Sequence, residues 1–117
     1  MNTTTIGQTI ESFVADFLRR NGLVILHQNY RVGRKEADIV ACQENTLVIV
    51  EVKARAFALD MYSLQQTITQ AKRQRMVRIA DAYLKRHNNK FTQVRFDFAC
   101  VCTSPLQCTY IPGAFYP

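Results

Sequence analysis

Asp38 and Glu51 are the residues whose types and spacing point most directly to chemistry. Each lies at the outer end of a short apolar run, and the two runs are joined by the polar residues 43–46. This pattern predicts a β-hairpin whose loop is either Glu44-Asn45 or all four residues. Residues equally far from the centre of such a hairpin oppose each other, so we expect Asp38 to face Glu51 with Cβ atoms roughly 4.5–5.5 Å apart. Two carboxylates this close repel each other unless a cation binds between them.

Lys53 adds a positive charge at the same place. It lies two residues beyond Glu51 on the predicted strand, so both side chains project from one face of the sheet. Mg²⁺ typically binds one or two carboxylates, several waters and a substrate phosphate oxygen. These residues therefore indicate metal-assisted phosphodiester hydrolysis, in which Lys53 orients the attacking water or stabilises the developing negative charge. The simpler alternative is a cross-strand ion pair between Lys53 and Glu36.

A long helix is the second element with residues suited to this chemistry. Residues 63–66 have the form of a capping box, which predicts one helix from there to about Arg86, ended by Asn88-Asn89. Lys72 lies in the middle of its apolar face. There its amine either reaches an anion, such as a phosphate or the carboxylate pair (Asp38 and Glu51), or extends to solvent. Arg73 points elsewhere and suits backbone phosphates outside the cleft.

Two further segments carry candidate residues. A helix predicted over residues 6–21 places Glu11 beside its apolar stripe, where the carboxylate either joins the same cleft or is solvated. The turn at residues 31–35, which we call the basic turn, carries Arg31, Arg34 and Lys35. Clustered basic side chains suit phosphate contacts, although they also occur on ordinary solvated surfaces.

The order of the predicted elements indicates an α/β fold. The first helix is followed by three strands, the long helix and a further strand, in the order αβββαβ, which favours a sheet with helices on its two faces. The second and third strands are apolar on both sides, as is typical of covered central strands. A length of 117 residues is that of one domain, spanning residues 1–117. The predicted strands cover residues 23–30, 37–42, 47–53 and 93–103, with a short final strand at 109–111.

The composition narrows the function classes. Fifteen Lys and Arg against nine Asp and Glu give a net charge of +6, which favours a polyanionic partner such as nucleic acid. No apolar run is long enough to span a membrane, and the first residues lack the pattern of a secretory signal. The four cysteines have no metal-binding spacing, so we expect reduced thiols and a cytoplasmic protein.

Several short motifs, in this order, resemble the YraN family of small bacterial proteins. That family is grouped with the PD-(D/E)XK nucleases, beside the archaeal Holliday junction resolvases. The resemblance covers nearly the whole chain and implies a restriction-endonuclease-like core with a mixed central sheet flanked by helices. Two positions depart from it, because Ile10 and Lys35 stand where the family usually has glycine. The matching motifs are Gly7-x-x-x-Glu11, Gly22-x-x-Ile25-Leu26-x-x-Asn29-x-Arg31, Glu36-Ala37-Asp38-Ile39, Val50-Glu51-Val52-Lys53-x-Arg55, Lys72, Ala80-x-x-Tyr83-Leu84, Arg95-Phe96-Asp97 and Ala114-Phe115.

The resemblance also implies roles for individual residues. Asp38 corresponds to the first aspartate of the PD-(D/E)XK motif. Glu51 and Lys53 correspond to the acidic residue and the lysine at the end of that motif. Glu11 corresponds to the first-helix glutamate of resolvase-like members, and Lys72 to the family's second-helix lysine.

The residues and the resemblance lead to one hypothesis, a Mg²⁺- or Mn²⁺-dependent endonuclease that acts on DNA, including branched DNA. In this hypothesis Asp38 and Glu51 bind the metal, and the Val52 carbonyl and Glu11 are additional ligands. Lys53 assists the attacking water.

The remaining basic residues are expected to contact phosphates. They are Lys72, Arg73, Arg55 and the basic turn, and a twofold dimer would suit a junction substrate. One alternative is a non-catalytic nucleic-acid-binding module of the same fold. The other is a subunit that docks on a protein partner and uses its acids structurally.

Overall fold

The computed structural model describes residues 3–56, 60–87 and 90–117 of the chain. Over these residues the fold has three helices and five strands, and every strand has at least nine residues. The elements are α1 (Thr3–Arg20), β1 (Val24–Val32), β2 (Lys35–Gln43), β3 (Thr46–Arg55), α2 (Met61–Gln66), α3 (Gln70–Arg86), β4 (Gln93–Thr103) and β5 (Leu106–Phe115).

The five strands form one mixed sheet in the order β1-β2-β3-β4-β5. Only β3 and β4 run parallel, and the other neighbouring pairs are antiparallel. Parallel neighbours need a crossover connection, which α2 and α3 provide between β3 and β4. This mixed α/β sheet flanked by helices confirms the predicted fold class and is consistent with a restriction-endonuclease-like core.

A helix covers each face of the sheet. On one face α1 packs through Val14 and Leu18, and on the other α3 packs through Met76 and Ile79. Strand β3 supplies buried residues to both sides, as its apolar pattern predicted. The buried β3 residues are Leu47 and Ile49 on the α3 side and Val48 and Val50 on the α1 side.

The first helix ends as the sequence predicts. Gly22 adopts a φ of 87°, a left-handed conformation that costs glycine little, and its N–H donates to the Arg19 carbonyl. Leu23 N–H closes the same turn on the Leu18 carbonyl. Over the described residues, no helix has the length and apolar content that crossing a membrane requires.

The predicted long helix is wrong in its start, because two helices occupy the segment. Residues 63–66 lie inside α2, which begins after Asp60, whose carboxylate accepts a hydrogen bond from Ser63 N–H. A second start follows at Thr69, whose hydroxyl accepts from Lys72 N–H and caps α3. Two good capping residues nine positions apart therefore outcompete one continuous helix. The predicted stop at Asn88-Asn89 lies outside the described residues.

The final strand is much longer than the predicted residues 109–111. Strand β5 pairs antiparallel with β4 on one side only, so it forms an edge of the sheet. An edge position tolerates Pro112, whose missing N–H needs no ladder partner there. The four cysteines carry free thiols; Cys100 and Cys102 are buried, and Cys42 and Cys108 are half-buried.

Candidate active site at the end of the β2–β3 hairpin

The hairpin register is the one expected from the sequence. Its ladder runs from Gln43–Thr46 to Ile39–Val50, which confirms Glu44-Asn45 as the two-residue loop. Continuing this register by one pair brings Asp38 and Glu51 together. The ladder itself stops before them, and beyond it the Asp38 carboxylate accepts a hydrogen bond from the Val52 N–H at 2.7 Å.

Asp38 lies in an environment that disfavours its negative charge. Burial, followed by the charge of Glu51, raises the pKa of the Asp38 carboxyl to about 7. Glu11 and Glu36 contribute in the same direction, whereas the Val52 hydrogen bond opposes the shift. Glu11 of α1 is thus close enough to act on Asp38 electrostatically. Such a local excess of carboxylates favours the binding of a cation.

Glu51 is engaged by a residue that the sequence analysis did not single out. Arg75 of α3 donates from Nη2 to Glu51 Oε1 at 2.7 Å, and the Glu51 side chain is 12% exposed. The position of Arg75 in the chain gave no signal for this contact. The rotation of α3 over the sheet decides which of its basic residues reaches β3, and helical spacing alone leaves that rotation open.

Basic side chains surround the same point. Lys53 and Arg55 of β3 and Arg75 of α3 all act electrostatically on Lys72 of α3. Burial, followed by the charge of Lys53, lowers the pKa of the Lys72 amine, and Glu51 partly compensates. The neighbouring basic side chains therefore add to burial in disfavouring the positive charge of Lys72.

Lys72 has a hydrogen-bond partner that the sequence did not predict, neither an anion nor solvent. Its Nζ donates to the Thr67 carbonyl at the end of α2, 3.1 Å away, and lies 5.8 Å from the centre of the Phe98 ring. The amine therefore stabilises the break between α2 and α3. Its half-buried stem lies on the core, as an amphipathic side chain does.

The other predicted phosphate contacts lie at the margin of this cluster. Arg73 turns away from it, donating from Nε to the Ile68 carbonyl at 3.3 Å and covering the Phe115 ring at 5.6 Å. In the basic turn, Arg34 is exposed, Lys35 begins β2 and Arg31 pairs with Glu36 at 3.1 Å.

The contact between Arg31 and Glu36 argues against the simpler alternative for Lys53, which was a cross-strand ion pair with Glu36. Among residues 3–56, 60–87 and 90–117, no salt bridge joins them, and Glu36 pairs with Arg31 instead. Lys53 therefore keeps its place beside Lys72 without that partner.

Sheet topology explains why these groups meet. Strand β2 begins where β3 ends, because the two are antiparallel, so Asp38 and the segment from Glu51 to Arg55 occupy one end of the sheet. The basic turn lies at that same end, because it connects β1 to the start of β2.

The donor set fits one kind of metal site. Two carboxylates, from Asp38 and Glu51, suit Mg²⁺ or Mn²⁺, which complete their coordination with water and substrate oxygens. In the part of the chain that the structure describes, no three His, Cys, Asp or Glu side chains form a metal-binding group. A closed protein-only site of the structural zinc type is thus not formed by those residues.

Known proteins give an independent comparison. The family model described as "Uncharacterised protein family UPF0102" matches residues 10–101. A UPF0102 protein of Dictyoglomus turgidum is 35% identical over 98% of this chain and 100% of its own length. A UPF0102 protein of Bacteroides thetaiotaomicron is 39% identical, covering 96% of this chain and 93% of its own length. One of Lawsonia intracellularis is 40% identical over 86% of this chain and 76% of its own length.

The matched residues include the whole β2–β3 hairpin and α3, and the Dictyoglomus turgidum and Bacteroides thetaiotaomicron proteins are similar over nearly their full length. The chain therefore belongs to the uncharacterised protein family UPF0102, the YraN family.

Proposed function

We propose that this protein is a Mg²⁺- or Mn²⁺-dependent endonuclease that hydrolyses phosphodiester bonds in DNA. One observation carries the proposal: Asp38 and Glu51 meet at the end of a hairpin, and the pKa of Asp38 is raised to about 7 there. A carboxyl with a raised pKa near charged side chains is typical of functional sites. The surrounding Lys53, Arg55 and Lys72 supply the positive charge that a phosphodiester substrate requires.

The residues of the hairpin have different roles in the proposed reaction. Asp38 and Glu51, with the Val52 carbonyl as a further ligand, would hold the metal. Among the described residues Glu11 does not form a three-carboxylate group with them, so it would act on the site through its charge. When bound, the metal would polarise the phosphoryl group and lower the pKa of a coordinated water. Lys53 orients the attacking water and stabilises the negative charge that develops on the phosphoryl oxygens.

The outer basic residues position the substrate. Lys72 is close enough to Glu51 to sense its charge, and Arg55 acts on Lys72 in turn. These two side chains would contact the phosphates near the cleaved bond. Arg73 and the basic turn contact phosphates farther along the strands, where they contribute affinity without reading sequence. The family resemblance points to branched DNA, and a twofold dimer would present two such centres to a junction.

The experiment that tests this function is a cleavage assay on a panel of DNA shapes. End-labelled four-way junction, flap, single-stranded and duplex DNA are incubated with the protein in Mn²⁺, in Mg²⁺ and in EDTA. Metal-dependent cutting of at least one substrate, abolished by EDTA, is the expected result. Absence of cutting in every metal, with binding intact in EDTA, would contradict the proposal.

A non-catalytic nucleic-acid-binding module is the second candidate, and a specific observation favours it. Both members of the carboxylate pair already have protein partners, because Asp38 accepts from Val52 N–H and Glu51 pairs with Arg75. In a module of this kind, the acids would only hold the hairpin and α3 together. Its DNA affinity would be equal in EDTA and in Mg²⁺ and would fall steeply with salt.

A further inference from the structure

The ion pair between Arg75 and Glu51 joins α3 to the candidate metal site. Its N···O distance is 2.7 Å, and the side chains are 34% and 12% exposed. The Arg75 Nε is buried and has no hydrogen-bond partner among the described residues. The guanidinium is therefore held through one nitrogen, short of the two-pronged geometry that gives arginine–carboxylate pairs their full strength.

A divalent cation and Arg75 would compete for the same carboxylate. Glu51 presents Oε1 to Arg75, and a metal held between Asp38 and Glu51 needs the charge of the same group. The pair has a single contact and its Arg75 side is one-third exposed, so a divalent ion, with twice the charge of the guanidinium, can compete for the carboxylate. The released guanidinium would then lie among Lys53, Arg55 and Lys72, whose charges act on the same region. The negative charge of a phosphate would balance these positive charges, and a phosphate accepts two parallel hydrogen bonds from arginine.

We propose that Arg75 is a resident counter-ion of Glu51 that yields this carboxylate to the divalent cation and then binds a phosphate of the nucleic acid. The inference rests on the proposed function and adds a regulatory step to it. Metal and nucleic acid become coupled ligands, so each raises the affinity of the protein for the other. Without metal, Arg75 keeps the site closed to phosphate.

The first test measures Mn²⁺ binding to the free protein, from the signal of unbound Mn²⁺ in electron paramagnetic resonance. Arg75→Gln removes the competitor and is expected to bind Mn²⁺ about fivefold more tightly than the wild type. Arg75→Lys retains the charge with weaker geometry, so its affinity should fall between the two. Glu51→Gln should lose Mn²⁺ affinity, and the Arg75→Gln change should then have no further effect.

Arg78→Gln is the matched control. Arg78 is exposed on the same helix, so the substitution removes the same charge without touching Glu51. We expect its Mn²⁺ affinity to stay within about twofold of the wild type. Circular dichroism confirms folding, and if Arg75→Gln does not fold, the affinity of Arg75→Lys decides.

The second test measures the coupling itself. Fluorescence anisotropy reports the affinity for a labelled four-way junction in EDTA and in Ca²⁺, which resembles Mg²⁺ in ligand preference. Wild-type affinity should rise in Ca²⁺ by about fivefold or more, and Arg75→Gln should lose most of that rise.

The outcomes separate this inference from the proposed function. Unchanged or weaker Mn²⁺ binding by Arg75→Gln, with binding still lost in Glu51→Gln, would overturn the role of Arg75 and leave the metal site intact. Failure of wild type and Arg75→Gln alike to bind Mn²⁺ would overturn both. A coupling equal in wild type and Arg75→Gln would overturn the phosphate step.

Discussion

The Asp38 carboxyl lies where its ionisation is unfavourable. Burial and three neighbouring carboxylates raise the pKa of its carboxyl to about 7, from 3.8 in the unfolded chain. The folded protein therefore favours the protonated form, and ionisation of Asp38 costs stability. This penalty is absent well below pH 4, grows as the pH rises through the interval between the two pKa values, and is complete above pH 7.

We predict that Asp38→Asn stabilises the protein at pH 8 and has little effect at pH 4. Asparagine keeps an oxygen that can accept from Val52 N–H and removes the unfavourable charge. The expected gain at pH 8 is about 1–3 kcal/mol in the free energy of unfolding without metal, measured by urea denaturation.

Asp81→Asn is the control for this prediction. It makes the same chemical change at an exposed position on α3 and should alter stability by no more than about 0.5 kcal/mol at either pH. Destabilisation by Asp38→Asn at pH 8 would show that Asp38 is a structural acid, as the protein-docking alternative requires.

The residues of this site differ in how far the sequence could predict them. The proximity of Asp38 and Glu51 follows from hairpin symmetry, because the two-residue loop fixes the register up to Ile39 and Val50, the residues next to them. Arg75 reaches Glu51 across 24 residues of chain, from another element. Its contact depends on how α3 is rotated on the sheet, and only the packed core determines that rotation.

Among the elements, β5 is held by a buried charge that the candidate site does not use. Asp97 of β4 is fully buried and pairs with Arg95 at 2.9 Å. It also accepts a hydrogen bond from the Tyr110 hydroxyl and, at 2.9 Å, one from Gly113 N–H. Both donors belong to β5, and the β4–β5 pairing is irregular at this point, between Phe96 and Phe98. Burial and the nearby Asp97 charge raise the pKa of the Tyr110 phenol, which keeps it a donor.

We predict that Tyr110→Phe destabilises the protein by about 1–3 kcal/mol, because Asp97 loses a hydrogen bond that water does not replace in a buried site. Urea denaturation measures the loss. Tyr116→Phe removes the same hydroxyl from an exposed tyrosine of the C-terminal segment and should leave stability within about 0.5 kcal/mol. Equal effects of the two substitutions would mean that the Asp97 cluster does not hold β5.

Element boundaries were predictable where a local signal stands alone. Gly22 ends α1, and the Gln93–Thr103 strand has the predicted bounds. The split of α2 from α3 was missed because the Thr69 cap competes with a capping-box pattern that is equally good in sequence. The length of β5 was missed because Pro112 normally ends a strand, and its tolerance here depends on the edge position.

At the scale of the whole molecule, the basic turn and the basic residues at the end of β3 lie at one end of the sheet. The basic turn, the carboxylate pair and the end of β3 share that end, whereas the last turn of α1 adjoins the opposite end of β1. Nucleic acid should approach the end at which β2 begins and β3 ends.

We predict that Arg34→Gln lowers the salt dependence of DNA binding in EDTA. Removing one phosphate contact should reduce the slope of log affinity against log salt by about one. Arg20→Gln, at the exposed end of α1, removes an equal charge from the far side and should leave the slope unchanged. Equal slopes in both variants would place the DNA elsewhere on the surface.

The most direct test of the proposed endonuclease site is the single-turnover cleavage rate of the preferred DNA substrate in Mn²⁺. We predict that Asp38→Asn and Lys53→Ala each slow cleavage by about 100-fold or more, because one removes a metal ligand and the other the charge beside the attacking water. Affinity for the same DNA in EDTA should stay within about threefold of the wild type for Asp38→Asn. Arg20→Gln should cut at the wild-type rate. Cleavage at the wild-type rate by both Asp38→Asn and Lys53→Ala would contradict the assignment of catalysis to the β2–β3 hairpin.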